Sequence, residues 1–280
     1  GLGDVYKRQV YYQGYRADVN FEVHALRQGK VVPPTCTSKG YTPYHCGNCG
    51  REVHWDIVPA LGHHYKEKSR AFTKATTSKD GKRTATYACT RTGCKATYTK
   101  TLQTYYKASN IKLNKTAYTY NGKVQKPSVT VKDSKGKALK NGTDYTVSYP
   151  KGMKNVGKYT VKVSLKGNYS GSKSMTYNIN PKGTSVSKVT AAKKGFKVTW
   201  KKQTTQTTGY QVQYSTSSKF KSAKTVTISK NKTTSKSVGK LSAKKKYYVR
   251  VRTYKTVKIG GKSVKLYSGW SKAKSVTTKK

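Results

Sequence analysis

Apolar and polar residues alternate over short runs in residues 108–181. The apolar members are Val129 and Val131, then Tyr145, Val147 and Tyr149, then Tyr159, Val161, Val163 and Leu165, then Met175, Tyr177 and Ile179. A period of two over such runs is typical of half-buried β-strands. Turn signals separate the runs at Asn121-Gly122, Asn141-Gly142 and Lys166-Gly167-Asn168. The pattern predicts a small all-β sandwich over residues 108–181.

Residues 184–280 alternate in the same way with different landmarks. The apolar members are Phe196, Val198 and Trp200, then Tyr210, Val212 and Tyr214, then Val226 and Ile228, then Tyr247, Val249 and Val251, with Val276 in a last short run. No helical period of any length occurs in this half of the chain. The pattern predicts a second all-β sandwich over residues 184–280.

The first 34 residues carry a weaker pattern. Residues 10–26 hold one candidate strand, and Val31-Val32-Pro33-Pro34 is typical of a linker. Residues 1–9 resemble adapter read-through in assembled environmental sequences, so they are left out of the fold prediction. The chain begins without Met or a signal peptide, and we expect a fragment of a longer exported protein whose N-terminal domains are missing. Because no run of about 18 apolar residues occurs, we expect no membrane span.

Residues 35–106 contain two related segments. TCTSKGYTPYHCGNCGREVHW is followed by ATTSKDGKRTATYACTRTGCKATY. We align Cys36 with Thr76, and the pair Cys46 and Cys49 with Cys89 and Cys94. A repeat spacing of about 40 residues indicates two copies of one small Cys-bearing hairpin. The predicted fold is therefore mainly β: a small Cys/His-rich β-hairpin unit over residues 35–106, followed by two tandem β-sandwiches.

The placement of the titratable residues argues against catalysis. No Asp or Glu occurs from Tyr145 to Lys280, and all five His and all five Cys lie before residue 95. General acid–base and most metal-assisted chemistry needs His, Asp or Glu held close together. The C-terminal two-thirds of the chain lacks these groups, so we predict that the protein is not an enzyme.

The chain has 59 Lys and Arg against 9 Asp and Glu, a formal charge of +50. Nine of the basic residues are Arg and the rest are Lys, which suits diffuse attraction better than bidentate recognition of phosphate. Two interpretations stay open. The lysines form a solvated surface that resists aggregation, or their field attracts polyanions without sequence preference. Nucleic acid would bind by the same attraction, so we expect no specific nucleic-acid partner.

Particular residues give the last predicted sandwich a family likeness. Trp200 lies on its second strand, Leu241 lies six residues before Tyr247, and the chain later reads Tyr267-Ser268-Gly269-Trp270-Ser271. In these features residues 184–280 resemble a bacterial fibronectin type III module.

The two preceding regions resemble modules of secreted and surface proteins from gut-dwelling Gram-positive bacteria. Residues 108–181 are similar to their Ig-like modules in YTYNGKVQKPSVTVKD, NGTDYTVSY, NVGKYTVKVSLKGNYSG and YNINP. Residues 35–64 resemble a Cys-rich repeat of the form CTxxGYTxYxCxxCG…PALGH. The resemblance implies an extracellular or cell wall-associated stalk or adhesion tail, which spaces and retains a larger surface protein. Anionic cell-wall glycopolymers would then be the partners of the lysines.

The cysteines predict a structural metal site. Cys46 and Cys49 form a zinc-knuckle sequence, with Cys36 ten residues before it and His63 fourteen residues after Cys49. A polar hairpin of this size cannot bury much core, so a metal would explain how it folds. Our preferred assignment is Zn²⁺ on Cys36, Cys46, Cys49 and His63, with a disulfide between the two remaining cysteines, Cys89 and Cys94.

Two other assignments stay open. In a zinc ribbon, Cys46, Cys49, Cys89 and Cys94 would bind one ion, as in a nucleic-acid-binding protein, which is the alternative function. The segment from Cys36 to His63 carries only Lys39 and Arg51 as basic residues, which does not favour that alternative. In an oxidising exterior, disulfides without metal are the third assignment. His64 is an alternative ligand to His63.

Overall fold

The computed structural model describes residues 25–47 and 49–280, and every regular element within them is a β-strand. The mainly β fold class is therefore confirmed. Residues 1–24, and with them most of the predicted linker at 1–34, lie outside the described residues. No helix in the described part of the chain is long and apolar enough to cross a membrane.

The described residues form two compact units. The N-terminal unit comprises residues 25–70 and 84–100, and the C-terminal unit comprises residues 71–83 and 101–280. The domain boundaries given above stay predictions.

Two three-stranded sheets follow one another at the start of the chain. The first has the order β1-β2-β3 and is antiparallel, and the second has the order β4-β5-β6. Their strands are β1 (Leu26–Gln28), β2 (Gly40–Cys46), β3 (Glu52–Val58), β4 (Tyr65–Thr73), β5 (Gly81–Cys89) and β6 (Thr97–Tyr105). Residues of the second sheet are divided between the two units.

The first sandwich of the C-terminal unit pairs a four-stranded sheet, β10-β11-β12-β8, with a two-stranded sheet, β7-β9. Its strands are β7 (Asn110–Leu113), β8 (Ala117–Thr119), β9 (Val129–Lys132), β10 (Tyr145–Ser148), β11 (Gly157–Leu165) and β12 (Ser172–Asn180). The alternating residues predicted for the core lie inside: Val131, Val161, Val163, Tyr177 and Ile179 are each at most 1% exposed. The glycines of all three predicted turns, Gly122, Gly142 and Gly167, adopt positive φ.

The second sandwich pairs the sheet β13-β14-β17 with the sheet β16-β15-β18-β19, and β20 also pairs with β18. Its strands are β13 (Val186–Ala192), β14 (Gly195–Trp200), β15 (Gly209–Ser215), β16 (Lys224–Ile228), β17 (Ser235–Val238), β18 (Lys246–Ile259), β19 (Lys262–Tyr267) and β20 (Lys274–Thr277). Its core is built from the predicted alternating positions: Phe196, Val198, Trp200, Tyr210, Val212, Tyr214, Tyr247, Val249 and Val251. Period-two patterning therefore located this core correctly, because one face of each strand packs against the opposite sheet.

Candidate metal centre

Four side chains of the N-terminal unit converge on one point: Cys36, His63, Cys89 and Cys94. Each offers a ligand atom, and these four atoms all lie within 4.8 Å of one another. Cys36 Sγ lies 3.7 Å from Cys89 Sγ, and Cys94 Sγ lies 3.3 Å from His63 Nδ1. In a tetrahedral zinc site, bonds of about 2.3 Å to sulfur and about 2.0 Å to nitrogen separate two sulfurs by about 3.8 Å and sulfur from nitrogen by about 3.5 Å. The cluster has the ligand types and spacing of a closed, four-coordinate metal site.

The first hairpin explains why Cys36 and His63 meet. Cys36 precedes β2 and His63 follows β3, and these two strands pair antiparallel. The segments before and after the hairpin therefore return to the same end. There the N–H of Leu61 donates a hydrogen bond of 2.9 Å to the carbonyl of Thr35, which ties together the two segments that carry the ligands.

The other two ligands lie where β5 ends. Cys89 is the last residue of β5, and Cys94 lies in the turn before β6. Arg91, between them, donates from Nε to the carbonyl of Gly62 and from Nη2 to the carbonyl of Leu61, both at 3.1 Å. The guanidinium thus holds the turn against the segment that carries the histidine ligand.

His64 has a different role from its neighbour. Its Nδ1 lies 2.9 Å from Thr90 Oγ1, and its carbonyl accepts a hydrogen bond of 2.9 Å from the N–H of Thr90. His64 therefore positions the two segments, while His63 presents its ring to the cluster. Hydrogen bonds of this kind, made next to a candidate metal ligand, help to orient that ligand.

Two thiols of the cluster differ in acidity. Burial raises the pKa of the Cys89 thiol. Hydrogen bonds from the Arg91 backbone and the His63 side chain, among others, outweigh this effect and bring the pKa down to about 6. Burial, with hydrogen bonds to Cys94 and Cys89, raises the pKa of Cys36 to about 11. Cys89 is therefore the more acidic thiol of the two. Thiolate is the form of cysteine that binds metal.

The structure does not bring together the preferred zinc set of Cys36, Cys46, Cys49 and His63. Cys36 and His63 do meet, but Cys46 lies at the far end of β2. A strand of seven residues spans about 20 Å, so the Cys46–Cys49 knuckle and the cluster lie at opposite ends of this strand. Strand length and direction, and not closeness in sequence, decide which of these side chains meet.

Cys89 and Cys94, predicted to form a disulfide, instead supply the other half of the cluster and are thiols in the structure. The ribbon assignment likewise finds no common site, since Cys46 and Cys49 do not join Cys89 and Cys94 in one cluster of the described residues. The sequence did contain one signal for the observed set, namely that the second segment has no ligands equivalent to Cys36 and His63.

The two Cys-bearing segments share a local structure. The structural alignment of the segments differs by one residue from the alignment made on the sequence. Thr35 and Thr76 each begin the same turn: the N–H donates to the carbonyl three residues later, and Oγ1 accepts from the amide three residues later. Thr35 therefore corresponds to Thr76, and Cys36 to Thr77. The second copy has a hydroxyl where the first has a thiol.

Comparison with known proteins bears on the second sandwich. Residues 180–268 match the fibronectin type III domain family. Similar solved structures include the FN1–FN3 domains of chicken CNTN1, with a TM-score of 0.32 and 16% identity over 87% of this chain and 78% of that one. Domains of titin align with a TM-score of 0.25 and 14% identity over 92% of this chain and 98% of that one. Curated proteins give no match.

Proposed function

We propose that this chain is a non-catalytic stalk or adhesion tail that spaces and retains a larger protein at the cell surface. The fibronectin type III match of residues 180–268 and the tandem sandwiches support this role, because such sandwiches recur in cell-surface proteins. The absence of acidic residues from Tyr145 onward supports the non-catalytic part of the proposal. We place the protein outside the cell, in association with the wall of a Gram-positive bacterium.

The observation that carries the proposal is a large set of lysines without counter-ions. In residues 184–280 every lysine is exposed except Lys255, which is half-buried. Among residues 25–47 and 49–280, the ion pairs within 4.0 Å join two histidines to Glu52 and Arg70 to Glu67, and none involves a lysine. The ammonium groups are therefore available to an external polyanion.

The partner that fits these groups is an anionic glycopolymer of the cell wall. A hydrated ammonium on a flexible stem attracts phosphate without requiring fixed geometry. Many such contacts along a polymer would retain the protein by counterion release. No sequence-specific nucleic acid is needed, and the zinc ribbon on which that alternative depended is not supported by the cysteine placement.

Co-sedimentation with purified Gram-positive walls tests this proposal. The full chain is mixed at low salt with walls that carry teichoic acids and with matched walls from which they have been extracted. We expect sedimentation with the first and little with the second. Equal sedimentation, or none with either, would contradict retention by the anionic polymer and leave a spacer whose lysines only keep it soluble.

We also propose that the cluster of Cys36, His63, Cys89 and Cys94 holds one structural Zn²⁺. Four protein ligands leave no open position for catalysis, and three thiolates with one imidazole favour zinc over harder cations. The test is metal analysis of protein purified under reducing conditions, together with cobalt substitution, which gives thiolate-to-cobalt absorption. One ion per chain is expected, and a metal-free chain that takes up no cobalt would contradict this proposal without affecting the previous one.

A further inference from the structure

Few hydrophobic side chains are buried among the described residues of the N-terminal unit, which are 25–47, 49–70 and 84–100. These buried side chains are Pro43, Cys46, Ala85 and Cys89, all of them small. All three clusters of packed apolar side chains lie in the C-terminal unit. The strands of the N-terminal unit are therefore ordered without the packed core that orders the two sandwiches.

Large apolar side chains of this unit lie in solvent instead. Trp55 is 50% exposed, Ile57 is 59% exposed and Tyr98 is 44% exposed. Side chains left half in water offset only part of the loss of chain entropy on folding. A further interaction between the segments would supply the rest.

The metal ligands are placed to supply that interaction. Cys36 and His63 come from the two ends of the first hairpin, while Cys89 and Cys94 come from the second Cys-bearing segment. An ion bound by all four would join both copies of the repeat at one point. Small domains of this kind commonly gain their folding free energy from the metal, because the site does not exist in the unfolded chain.

We infer that the ion joins the two Cys-bearing segments and that the N-terminal unit folds only when the ion is bound. This inference rests on the zinc binding proposed above. Removing the ion unfolds residues 25–70 and 84–100, while the sandwiches keep their structure because each has its own core. The result is one chain with a metal-dependent module ahead of a metal-independent one.

Hydrogen exchange of the full chain, followed by mass spectrometry, tests the inference. Reduced protein is compared with zinc bound, after chelation, and after zinc is restored. We expect amides of β2, β3 and β5 to exchange more than about tenfold faster after chelation and to recover with zinc. Amides of β11, β15 and β18 should not change.

The possible failures are distinguishable. If the purified chain binds no metal, the proposed zinc site is wrong. If it binds one ion, but removal leaves exchange of β2 and β5 unchanged, the zinc site stands and the inference is overturned. In a parallel sample kept without reductant, a fold that survives chelation and is lost only when reductant is added would overturn the inference in favour of a disulfide.

Matched cysteine variants identify the ligands. Cys94→Ser should release the ion and raise exchange in the N-terminal unit, whereas Cys49→Ser, outside the cluster, should keep one ion per chain. His63→Ala should behave like Cys94→Ser, which separates ligand loss from thiol loss. The opposite result, in which Cys49→Ser releases the ion and Cys94→Ser keeps it, would overturn the proposed ligand set.

Discussion

Trp270 lies between the two arginines of β18. The guanidinium carbon of Arg250 lies 4.8 Å from the Trp270 ring centroid, and that of Arg252 lies 4.3 Å from it. On their other sides, Arg250 stacks on Phe220 at 3.8 Å and Arg252 on Tyr267 at 3.9 Å. Cations and rings thus alternate along the outer face of the sheet, and the last two arginines of the chain serve packing.

Trp270→Ala should destabilise the second sandwich. The substitution removes two cation–π contacts from partly buried guanidinium groups, for an expected loss of roughly 1–3 kcal/mol in the free energy of unfolding. Urea unfolding, followed by hydrogen exchange of β15 and β18, measures the change. Trp55→Ala, in the other unit, is the matched control and should leave these strands unaffected. An unchanged midpoint for Trp270→Ala would show that the stack contributes nothing.

Tyr177 should make the first sandwich sensitive to alkali. Its side chain is 1% exposed, its hydroxyl donates to the carbonyl of Gln125 at 2.9 Å, and burial raises its pKa to about 12. Because the folded pKa exceeds the unfolded value of about 10, the contribution to stability is complete below pH 10 and is lost as the pH rises toward 12.

The expected loss is about 2–3 kcal/mol between these pH values. Urea midpoints of the native chain and of Tyr177→Phe, measured from pH 8 to pH 12, isolate this contribution because both proteins carry the same lysines. The variant should lose less stability across this range than the native chain. Parallel curves would contradict the raised pKa.

At the scale of elements, two serines complete the hydrogen bonding of β18 between the stretches paired with β19 and β20. Ser268 Oγ accepts from the N–H of Thr253, and Ser271 Oγ accepts from the N–H of Val251, both at 3.0 Å. The amides of the same serines donate to the carbonyls of Thr253 and Val251. The Ser268-Gly269-Trp270-Ser271 stretch noted in the sequence therefore has a physical role: its serines pair with the strand while its tryptophan stacks outside.

Ser271→Ala should cost about 1–3 kcal/mol, because it leaves the buried N–H of Val251 without an acceptor. Ser263→Ala, on the exposed face of β19, is the control and should cost little. Differential scanning calorimetry of the two variants compares them directly. Equal melting temperatures for both variants would mean that water replaces the hydroxyl.

The elements also show how far the sequence predicted the structure. The alternation of Phe196, Val198 and Trp200 located a strand and its buried face, because a period of two follows from backbone geometry alone. The metal ligands could not be found in this way. The Cys46–Cys49 knuckle is a strong local pattern, yet β2 carries Cys46 away from Cys36. The partners of Cys36 come from the segment after β3, from the end of β5 and from the turn that follows β5.

At the scale of the whole molecule, the 9 acidic residues neutralise few of the 59 basic ones and leave a formal charge of +50. Like charges spread over two sandwiches repel one another, and an external polyanion relieves that repulsion while releasing its own counterions. Affinity should therefore depend on the charge density of the polymer and very little on its chemical sequence.

The most direct test of this account is the affinity of the full chain for a soluble teichoic acid, titrated at salt concentrations from 50 to 200 mM. Retention by counterion release predicts a linear fall of log affinity with log salt, amounting to roughly a thousandfold or more over this range. Single-stranded DNA of matched charge should show a similar slope. Affinity that does not change with salt, or no binding at 50 mM, would contradict it.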